Sequence, residues 1–487
     1  MKIFNTLTRK DETFKPLRQE EVKVYSCGPT PYNFAHIWNL RTYVFEDYVI
    51  KTLKFLWYKL KTTMNITDID DKTIRDSQKA WVTLLELTQK YSQYFLEDIE
   101  KLNIQKADNI VPISTAIDEM VSMINTLIKK WFAYLWDDGS IYYEIKKFKN
   151  YWKLAHLDFS GMKTSVRIDN DEYDKENAAD FVLWKAWKDE DWPNYWEEEF
   201  VFGEEKKILK WRPGWHIECS ACNMKYFWAQ IDIHMWWVDN IFPHHENEIA
   251  QSEACNWANF AKYWIHSGHL MVDGKKMSKS AWNFHTLRDL EEKFKDVVSL
   301  SVLYRAVRLS FMNAKYSESV DFSFTKLEQN FNTIKKIDEA LKKLDRSIKS
   351  WILPDVKVRR DFREEMQVFI WDFIEKLEDN FNMPEVLSVF FNFVTFANTQ
   401  IDSGELSISE ANSIFDMYKT FDSVLSILDV KILAEEKISD NIMKMLEERN
   451  QAKKEKNFTK ADSIRDELLA LWFKIIDDRS WTRVEKI

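Results

Sequence analysis

The first hundred residues alternate between short apolar runs and longer stretches with apolar residues at helical spacing. Residues 22–25 and 58–66 have the character of buried strands, and residues 39–52 and 84–102 have the character of amphipathic helices. Strands that alternate with helices favour a parallel sheet, whose ligands bind at the carboxyl ends of the strands. We therefore predict an α/β domain at the start of the chain.

The later pattern divides the chain further. Residues from about 110 to 205 have the character of an insertion with turns of its own, such as Asp138-Gly139-Ser140, and the alternating pattern resumes near residue 211 and runs to about 290. From about residue 325 onward the spacing is almost purely helical. Helices are predicted over residues 327–348, 361–377, 384–397 and 407–428, followed by a smaller terminal unit over 439–487.

Length, composition and charge narrow the class of protein. A chain of 487 residues is too long for one hydrophobic core, and 45% hydrophobic with 30% charged residues is typical of a globular protein. The N-terminus has no apolar signal segment, and the most apolar later run, residues 389–397, is too short to span a bilayer. The net charge of −10 implies that any RNA contact uses local basic patches. We expect a cytoplasmic protein with no membrane partner.

One segment joins a predicted strand to a predicted helix and carries polar groups. It reads Cys27-Gly-Pro-Thr-Pro-Tyr-Asn-Phe-Ala-His36-Ile-Trp38-Asn39. The N-terminus of a helix offers free backbone N–H groups and the positive end of the helix dipole, which suit phosphate. His36 could donate to a phosphate oxygen, although a lone histidine at such a junction is more often a structural hydrogen bonder.

A second segment is basic and follows Val272-Asp-Gly274. It reads Lys276-Met-Ser-Lys279-Ser280, and its two lysines and two hydroxyl groups could hold a triphosphate on a loop. Most segments with this lysine spacing are solvated basic loops. The position of this one, late in the α/β part, favours a role in binding phosphate.

The cysteines are too few for a disulfide framework in a chain of this size, so in a reducing compartment they indicate thiols or metal ligands. There are four: Cys27, Cys219, Cys222 and Cys255. His244 and Glu248 are four residues apart and would share one face of a helix. Zinc accepts thiolate, imidazole and carboxylate together, which makes Cys27, Cys219, His244 and Glu248 candidate ligands. A clip of Cys219 and Cys222 is the alternative, although no second CxxC pair completes it.

Together the first two segments resemble the two ATP signatures of the class I aminoacyl-tRNA synthetases. Four further stretches resemble the cysteinyl-tRNA synthetases in particular, from about Ile3 to Val320, and the resemblance returns in the last fifty residues. They are Asn65-Ile-Thr67-Asp-Ile-Asp-Asp-Lys72, Arg212-Pro-Gly-Trp-His-Ile-Glu-Cys219-Ser-Ala, Asp232-Ile-His234, and Phe242-Pro-His244-His-Glu-Asn-Glu248-Ile-Ala-Gln-Ser-Glu253.

The resemblance implies a cysteine–tRNA ligase whose partners are cysteine, ATP with Mg²⁺ and tRNA(Cys), acting as a monomer with one Zn²⁺ per chain. It implies zinc ligands Cys27, Cys219, His244 and Glu248, a cysteine pocket of Thr67, Trp215 and His234, and no role for Cys222 or Cys255. It also implies catalytic roles for His36, Asn39, Lys276 and Lys279, and ATP contacts from these four residues together with Asp239, Ser278 and Ser280.

The same resemblance implies a class I synthetase fold: a Rossmann-type parallel sheet with an insertion, then an all-α bundle and a small C-terminal anticodon-binding unit. The expected domains are the first catalytic half at 1–110, an inserted connective region at 111–205, the second catalytic half with the lysine loop at 206–290, a stem-contact region at 291–350, a tRNA-binding helical bundle at 351–435, and an anticodon-recognition unit at 436–487.

Tryptophan is abundant and glycine is scarce. The chain has 22 Trp and 8 Gly, whereas average usage of about 7% would give roughly 34 glycines. Family glycines correspond to Trp38, Trp211, Trp236, Trp237 and Trp282, and by weaker resemblance to Trp57, Trp81, Trp131, Trp152, Trp228, Trp257, Trp472 and Trp481. Genuine family tryptophans correspond to Trp184, Trp215 and Trp264.

All of these differences replace a family glycine with tryptophan. Substitution in a single direction indicates that one codon is decoded in two ways, because random mutation would give many kinds of substitution. The codon UGA differs from the glycine codon GGA by one base, and some bacterial lineages read UGA as glycine while others read it as tryptophan. We therefore expect the codon UGA at all the tryptophans that correspond to family glycines, and the codon UGG at Trp184, Trp215 and Trp264. We also expect the tryptophan form to bind ATP poorly, because Trp38 would crowd adenine and Trp236 and Trp237 would crowd the ribose and the substrate.

Two other functions fit part of the pattern. A ligase that joins cysteine to an amino sugar shares the catalytic half, but it would not need the basic helical tail, such as Lys453-Lys-Glu-Lys456. A catalytically inactive zinc-binding or RNA-binding paralogue would fit if the tryptophans are genuine. The intact zinc set and lysine loop favour the enzyme.

Overall fold

The structure is a computed structural model that describes residues 1–156, 180–276, 284–349, 353, 356–433, 440–471, 473–477 and 482–486. The described part of the chain forms two compact units. The first contains residues Met1–Phe331, Asp372–Ser388 and Ser423–Ile427. The second contains residues Asn332–Trp371, Val389–Asp422 and Leu428–Ile487. No helix among the described residues is long and apolar enough to cross a membrane.

The strands in chain order are β1 (Lys2–Asn5), β2 (Lys10–Thr13), β3 (Val22–Ser26), β4 (Leu60–Ile66), β5 (Asn109–Pro112), β6 (Ala133–Leu135), β7 (Ile141–Tyr143), β8 (Phe181–Ala186), β9 (Trp196–Phe202), β10 (Glu205–Pro213), β11 (Ile231–Trp237), β12 (Ala261–Ser267), β13 (Leu270–Val272), β14 (Lys275–Lys276), β15 (Val320–Phe322), β16 (Phe473–Asp477) and β17 (Thr482–Lys486).

The helices in chain order are α1 (Ile37–Phe55), α2 (Asp71–Lys79), α3 (Leu84–Lys101), α4 (Ile117–Lys129), α5 (Trp215–Phe227), α6 (Glu246–Asn256), α7 (Leu287–Phe294), α8 (Leu300–Met312), α9 (Phe324–Lys349), α10 (Arg360–Glu378), α11 (Met383–Ser403), α12 (Ile408–Leu425), α13 (Asp440–Lys454) and α14 (Phe458–Ala470).

A five-stranded parallel sheet forms the centre of the first unit. Its strand order is β12-β11-β3-β4-β5. The chain leaves β3 toward β4 on one side and later returns through β11 to β12 on the other side. The boundary between β3 and β11 is therefore the topological switch point, the place where open α/β sheets bind ligands. The predicted α/β domain is confirmed.

The inserted region forms an antiparallel sheet. Its strand order is β6-β7-β8-β10-β9, which gives these residues a layer of their own. The last strand, β10, ends at Pro213 and leads through Gly214 into α5, so this sheet delivers a helix back to the parallel sheet. Gly214 has no room for a side chain, because an added Cβ would lie 2.3 Å from the carbonyl oxygen of Val182.

A buried ion pair fastens α8 to α1 within the first unit. The Arg308 guanidinium bonds the Asp47 carboxylate and also donates to the backbone carbonyls of Leu102 and Leu425. Both charged side chains are almost fully buried. An ion pair in such surroundings needs these additional hydrogen bonds, because each charge has lost its water.

The second unit is largely helical. Aromatic side chains join α10, α11 and α12, with Phe369 against Phe393 at 5.5 Å and Phe393 against Phe421 at 5.2 Å between ring centroids. Its C-terminal part packs α13 against α14 through the core residues Ile442, Leu446, Ile464 and Leu468. The strands β16 and β17 pair as an antiparallel hairpin, which the sequence pattern did not predict.

Candidate functional site

Four potential metal ligands from separate elements meet at the carboxyl edge of the parallel sheet. Cys27 directly follows β3, Cys219 lies in α5, His244 lies in the helical turn 241–245, and Glu248 lies in α6. All four are buried, and their ligand atoms lie within 4.8 Å of one another. The sequence predicted this set, and the fold brings its members together.

The distances between the donor atoms are close to the edges of a small tetrahedron. The Cys27 and Cys219 Sγ atoms are 3.7 Å apart, Cys219 Sγ is 3.5 Å from His244 Nε2, and His244 Nε2 is 3.2 Å from Glu248 Oε1. A fourth and longer edge, from Glu248 Oε1 to Cys27 Sγ, is 3.9 Å. Tetrahedral zinc with Zn–S near ~2.3 Å and Zn–N or Zn–O near ~2.0 Å spaces its ligands by about 3.3–3.8 Å. The donor set and its spacing therefore fit a single zinc ion.

The electrostatics of the cluster favour metal ligation. Burial alone would raise the pKa of the Cys219 thiol, but hydrogen bonds from Cys27 and His244 outweigh burial and lower it to about 6. Burial opposes the charge of His244 as well, yet its bonds to Cys219 and Glu248 raise its pKa to about 10. Burial, followed by contact with Cys219, raises the pKa of the Cys27 thiol. A cation would relieve the cost of placing these anionic groups together.

Three histidines that the sequence did not predict as site residues extend this cluster. His216 Nδ1 lies 2.9 Å from His244 Nδ1, which leaves His244 Nε2 facing Cys219. His245 bonds His266 at 2.8 Å, and His266 in turn bonds the Thr6 hydroxyl at 2.8 Å. The clustering of histidine within His244-His245 was a possible signal, but the pairing with His216 and His266 depends on tertiary contacts.

His245 also belongs to a second possible donor set. Cys27, His234, His245 and Glu248 likewise place their ligand atoms within 4.8 Å of one another. In that set His245 Nε2 is 3.8 Å from Cys27 Sγ and 3.9 Å from Glu248 Oε1, and the set contains one thiolate rather than two. The soft Cys27–Cys219 pair makes the first set the better fit to zinc.

Local packing explains why Cys27 is followed by glycine. A Cβ on Gly28 would lie 1.5 Å from the carbonyl oxygen of Asn65, so no other residue fits there. The Asn65 side chain accepts a hydrogen bond from the Gly28 backbone N–H at 2.9 Å and another from the Tyr25 hydroxyl at 3.0 Å. Asn65 thus holds the ends of β3 and β4 together beside the cluster.

The three residues expected to contact an amino-acid substrate all border the cluster. Thr67 donates to Glu218 at 3.0 Å, Trp215 lies against the His244 ring with centroids 4.4 Å apart, and His234 donates to Glu248 at 3.0 Å. His234 is also stacked on Trp264 at 4.5 Å. The sequence therefore grouped residues that the fold places around one buried point.

His36 is the N-cap of α1, the end at which the helix dipole favours a phosphate. The segment after the lysine loop returns to the same place: His36 forms a β-bridge with Thr286, and the Ile37 N–H donates to the His285 carbonyl at 2.9 Å. The ring of Phe284 lies 4.4 Å from the ring of His36. Residues 284–286, which follow the lysine loop in the chain, therefore lie beside the first predicted ATP segment.

Part of the lysine loop lies outside the described residues. Lys276 ends β14, and Ser278, Lys279 and Ser280 fall within the gap 277–283. Asn39 lies in the first turn of α1 and is half-buried.

Tryptophan fills the crevice between β3 and β11. Trp38 follows His36 on α1, Trp237 ends β11, and their rings meet edge to face at 4.1 Å between centroids. The ring of His269 lies 6.2 Å from each of them, and its Nε2 atom is 3.4 Å from the carboxylate of the exposed Asp239. The side chain of Trp236 lies on the opposite face of β11 from Trp237 and packs on Tyr43.

Comparisons with known proteins identify the family. The family described as tRNA synthetases class I (C) catalytic domain matches residues 13–332, and the DALR domain family matches residues 372–429. A cysteine–tRNA ligase of Brachyspira hyodysenteriae is 40% identical over 480 residues, which are 98% of this chain and 97% of the relative. The cysteine–tRNA ligase of Chlamydia pneumoniae is 40% identical over 487 residues, which are 100% of this chain and 98% of the relative.

A solved structure supports the fold. Methionyl-tRNA synthetase of Mycobacterium tuberculosis in complex with methionyl-adenylate superimposes with a TM-score of 0.55 over 84% of this chain and 90% of that chain. Its sequence identity is 13%, so the likeness concerns the fold alone.

Proposed function

The chain belongs to the cysteine–tRNA ligases, within the class I aminoacyl-tRNA synthetases, and from this premise we propose that it joins cysteine to tRNA(Cys) with a zinc ion that selects the substrate. The buried cluster of Cys27, Cys219, His244 and Glu248 carries the zinc part of the proposal. The reaction consumes ATP and releases AMP and pyrophosphate.

Selection of cysteine is the task for which a thiolate-rich site is suited. Serine differs from cysteine by one atom, so packing alone discriminates between them weakly. When bound, zinc supplies a Lewis acid that prefers a sulfur ligand to a hydroxyl. Thr67, Trp215 and His234 surround the same point and would hold the rest of the amino acid in place.

Formation of the adenylate requires positioning more than covalent chemistry. An oxygen of the cysteine carboxylate attacks the α-phosphorus of ATP·Mg²⁺, the bond from that phosphorus to the bridging oxygen breaks, and pyrophosphate leaves. His36 and Asn39 at the start of α1, with Lys276, Ser278, Lys279 and Ser280, would stabilise the phosphate charges. Asp239 would contact the ribose.

Transfer to RNA completes the reaction. A hydroxyl of the 3′-terminal ribose attacks the carbonyl carbon of the adenylate, the hydroxyl proton is lost, and AMP leaves with the electrons of the cleaved C–O bond. Neither step forms a bond to a protein side chain. We place these steps in the halves 1–110 and 206–290, joined by the insertion 111–205.

Recognition of the rest of the tRNA would fall to residues 291–487. The expected stem-contact region is 291–350, the bundle is 351–435, and the anticodon-recognition unit is 436–487. A groove in the second unit supports RNA contact there, because its lining has more cations than anions. The cavity of about 790 Å³ is lined by Lys335, Lys336, Lys343 and Arg346 of α9, together with Glu339 and with Asp402, which pairs with Lys343. We further propose a cytoplasmic monomer, a setting consistent with four free cysteines.

Two cysteines of α5 provide a matched test of the zinc proposal. Cys219 and Cys222 are both buried in the same helix, but only Cys219 faces His244. The zinc content of purified Cys219→Ser should fall by at least about tenfold, whereas Cys222→Ser should keep one zinc per chain. Cysteine-dependent ATP–pyrophosphate exchange should follow the zinc content. Full zinc in Cys219→Ser would overturn the proposed ligand set.

A further inference from the structure

Tryptophan is the commonest residue type at left-handed backbone positions in the described part of the chain. Six tryptophans and four glycines have positive φ there, and no other residue type contributes more than two of the remaining eight. A bulky residue at positive φ suffers a steric clash between its Cβ and the backbone, whereas glycine does not. The six are Trp57 (φ 68°), Trp81 (57°), Trp131 (67°), Trp152 (84°), Trp228 (68°) and Trp257 (56°).

Three of these tryptophans close a helix in the way that glycine normally does. After α1, the Trp57 N–H donates to the Lys54 carbonyl at 2.9 Å and the Tyr58 N–H donates to the Leu53 carbonyl at 3.0 Å. This pair of hydrogen bonds defines the Schellman motif, whose left-handed residue is usually glycine. Trp81 after α2 and Trp131 after α4 repeat the same two bonds.

A fourth position is more restrictive. Trp228 ends α5 with φ 68° and ψ −142°, close to a region of backbone conformation that is essentially limited to glycine. Trp257 ends α6 in the left-handed conformation with φ 56° and ψ 29°. The residues that occupy these positions therefore have the backbone of glycine and the side chain of tryptophan.

Packing does not compensate for this strain. The side chain of Trp57 is 95% exposed, and Trp81, Trp131, Trp228 and Trp257 are exposed as well. Two tryptophans with ordinary backbone angles are the reverse: Trp184 is fully buried and Trp264 is 1% exposed and stacked on His234. These five exposed tryptophans thus differ from Trp184 and Trp264 in both backbone conformation and burial, whereas the sixth, Trp152, is half-buried and stacked on Phe242.

Two further tryptophans, Trp38 and Trp237, have ordinary backbone angles but occupy the ligand crevice. They fill the space at the switch point of the sheet, beside His36 and its bridge partner Thr286. The backbone of α1 and of β11 would border this space directly if neither position carried a side chain. A nucleotide then could approach the helix N-terminus, as phosphate binding requires.

We infer that the protein made by its own cell carries glycine at Trp57, Trp81, Trp131, Trp152, Trp228 and Trp257, and also at Trp38 and Trp237, and that these positions are encoded by UGA. The overall scarcity of glycine, 8 residues in 487, agrees with this assignment. A tRNA that carries glycine and pairs with UGA is the component that the cell must supply. Trp184 and Trp264 remain tryptophan and are encoded by UGG.

The test reads the codons of the gene and the masses of peptides from the protein isolated from its own cells. UGA codons with glycine-containing peptides at the eight positions, together with UGG and tryptophan at Trp184 and Trp264, are expected. UGG codons at the eight positions would overturn the inference, and so would UGA codons whose peptides contain tryptophan.

This inference does not depend on activity for its six helix-end and loop positions, but its two crevice positions rest on the proposed function. The experiment distinguishes failure of the glycine assignment from failure of the proposed function. Glycine peptides from a protein that fails cysteine-dependent ATP–pyrophosphate exchange would retain the glycine assignment and refute the proposed function. Tryptophan peptides from a protein that catalyses the exchange would retain the function and refute the glycine assignment.

Discussion

The indole of Trp38 lies edge-on against the indole of Trp237, with ring centroids 4.1 Å apart, in the crevice between β3 and β11. Helix α1 begins and strand β11 ends at the ligand-binding edge of the parallel sheet, and each contributes one of the two rings. Under the proposed function, a nucleotide and these two rings would compete for one space. The contact links the identity of two residues to the binding of ATP.

Removal of both rings should open the nucleotide site. The double variant Trp38→Gly with Trp237→Gly is expected to bind ATP at least about tenfold more tightly than the unmodified chain, or about 1.4 kcal/mol in binding free energy. Isothermal titration calorimetry with ATP·Mg²⁺ measures this difference. The matched control, Trp57→Gly with Trp81→Gly, removes two exposed rings at helix ends and should leave ATP affinity unchanged. Equal affinity in the crevice variant and the control would refute the occlusion.

Relief of backbone strain should be measurable at Trp57. Trp57→Gly is expected to stabilise the fold by about 1 kcal/mol, because glycine adopts positive φ without a Cβ clash. Trp57→Ala removes the same exposed ring but keeps the Cβ, so its stability should stay within about 0.5 kcal/mol of the unmodified chain. Thermal unfolding of the three proteins compares them. A gain in Trp57→Ala equal to that in Trp57→Gly would assign the effect to the indole instead of the backbone.

The architecture was largely predictable because it follows from local periodicity. The strand predicted at 22–25 is Val22–Ser26, and the helix predicted at 84–102 is Leu84–Lys101. Helix ends were less accurate, since apolar spacing alone does not show where a capping residue lies. The sequence pattern did not predict the antiparallel sheet of the insertion. Its strands β6 and β7 have three residues each, which is too short for an alternation of apolar and polar residues to be recognised.

The site was predictable where ligands carry distinctive chemistry in short motifs. The sequence predicts Cys27, Cys219, His244 and Glu248 as one ligand set, and the structure brings these four side chains together. His216 and His266 were not predicted, because each joins the cluster through a histidine more than twenty residues away in the sequence. A buried histidine in an apolar segment has no sequence signature that separates packing from support of a metal ligand.

Two adjacent histidines distinguish the two possible donor sets. His244→Asn should lose zinc by at least about tenfold, because His244 Nε2 lies between Cys219 and Glu248 at 3.5 and 3.2 Å. His245→Asn should retain the metal, since the His245 ring is bonded to His266 on its other nitrogen. Metal analysis of both purified proteins decides between the sets. Zinc loss confined to His245→Asn would select the alternative set.

The lysine loop should serve the nucleotide and not the metal. Lys279→Ala is expected to lower cysteine-dependent exchange by about 100-fold, within the range for loss of a group that stabilises transition-state charge. Its zinc content should be unchanged. Lys295→Ala is the control, because Lys295 makes only an exposed ion pair with Glu292. Parallel loss of zinc and exchange in Lys279→Ala would argue against a role confined to phosphate.

The buried ion pair on α8 should matter more than surface pairs. Arg308→Ala leaves the buried Asp47 carboxylate bonded to Lys51 and to one backbone N–H. The variant should destabilise the first unit by about 3 kcal/mol, the lower end of the range for a broken buried pair, because Lys51 still compensates the charge. Arg360→Ala removes an exposed pair with Glu364 and should cost about 0.5 kcal/mol or less. Chemical denaturation of both variants compares them. Similarly small losses of unfolding free energy in both variants would show that α8 does not depend on the Arg308–Asp47 pair for its stability.

Cysteine-dependent ATP–pyrophosphate exchange tests the central claim most directly. It should be measured with zinc present on the unmodified chain and on a chain with glycine at Trp38, Trp237 and the six left-handed tryptophans, using cysteine and serine as substrates. We predict exchange with cysteine, little with serine, and activity far higher in the glycine form. Absence of cysteine-dependent exchange in the zinc-loaded glycine form would contradict the account.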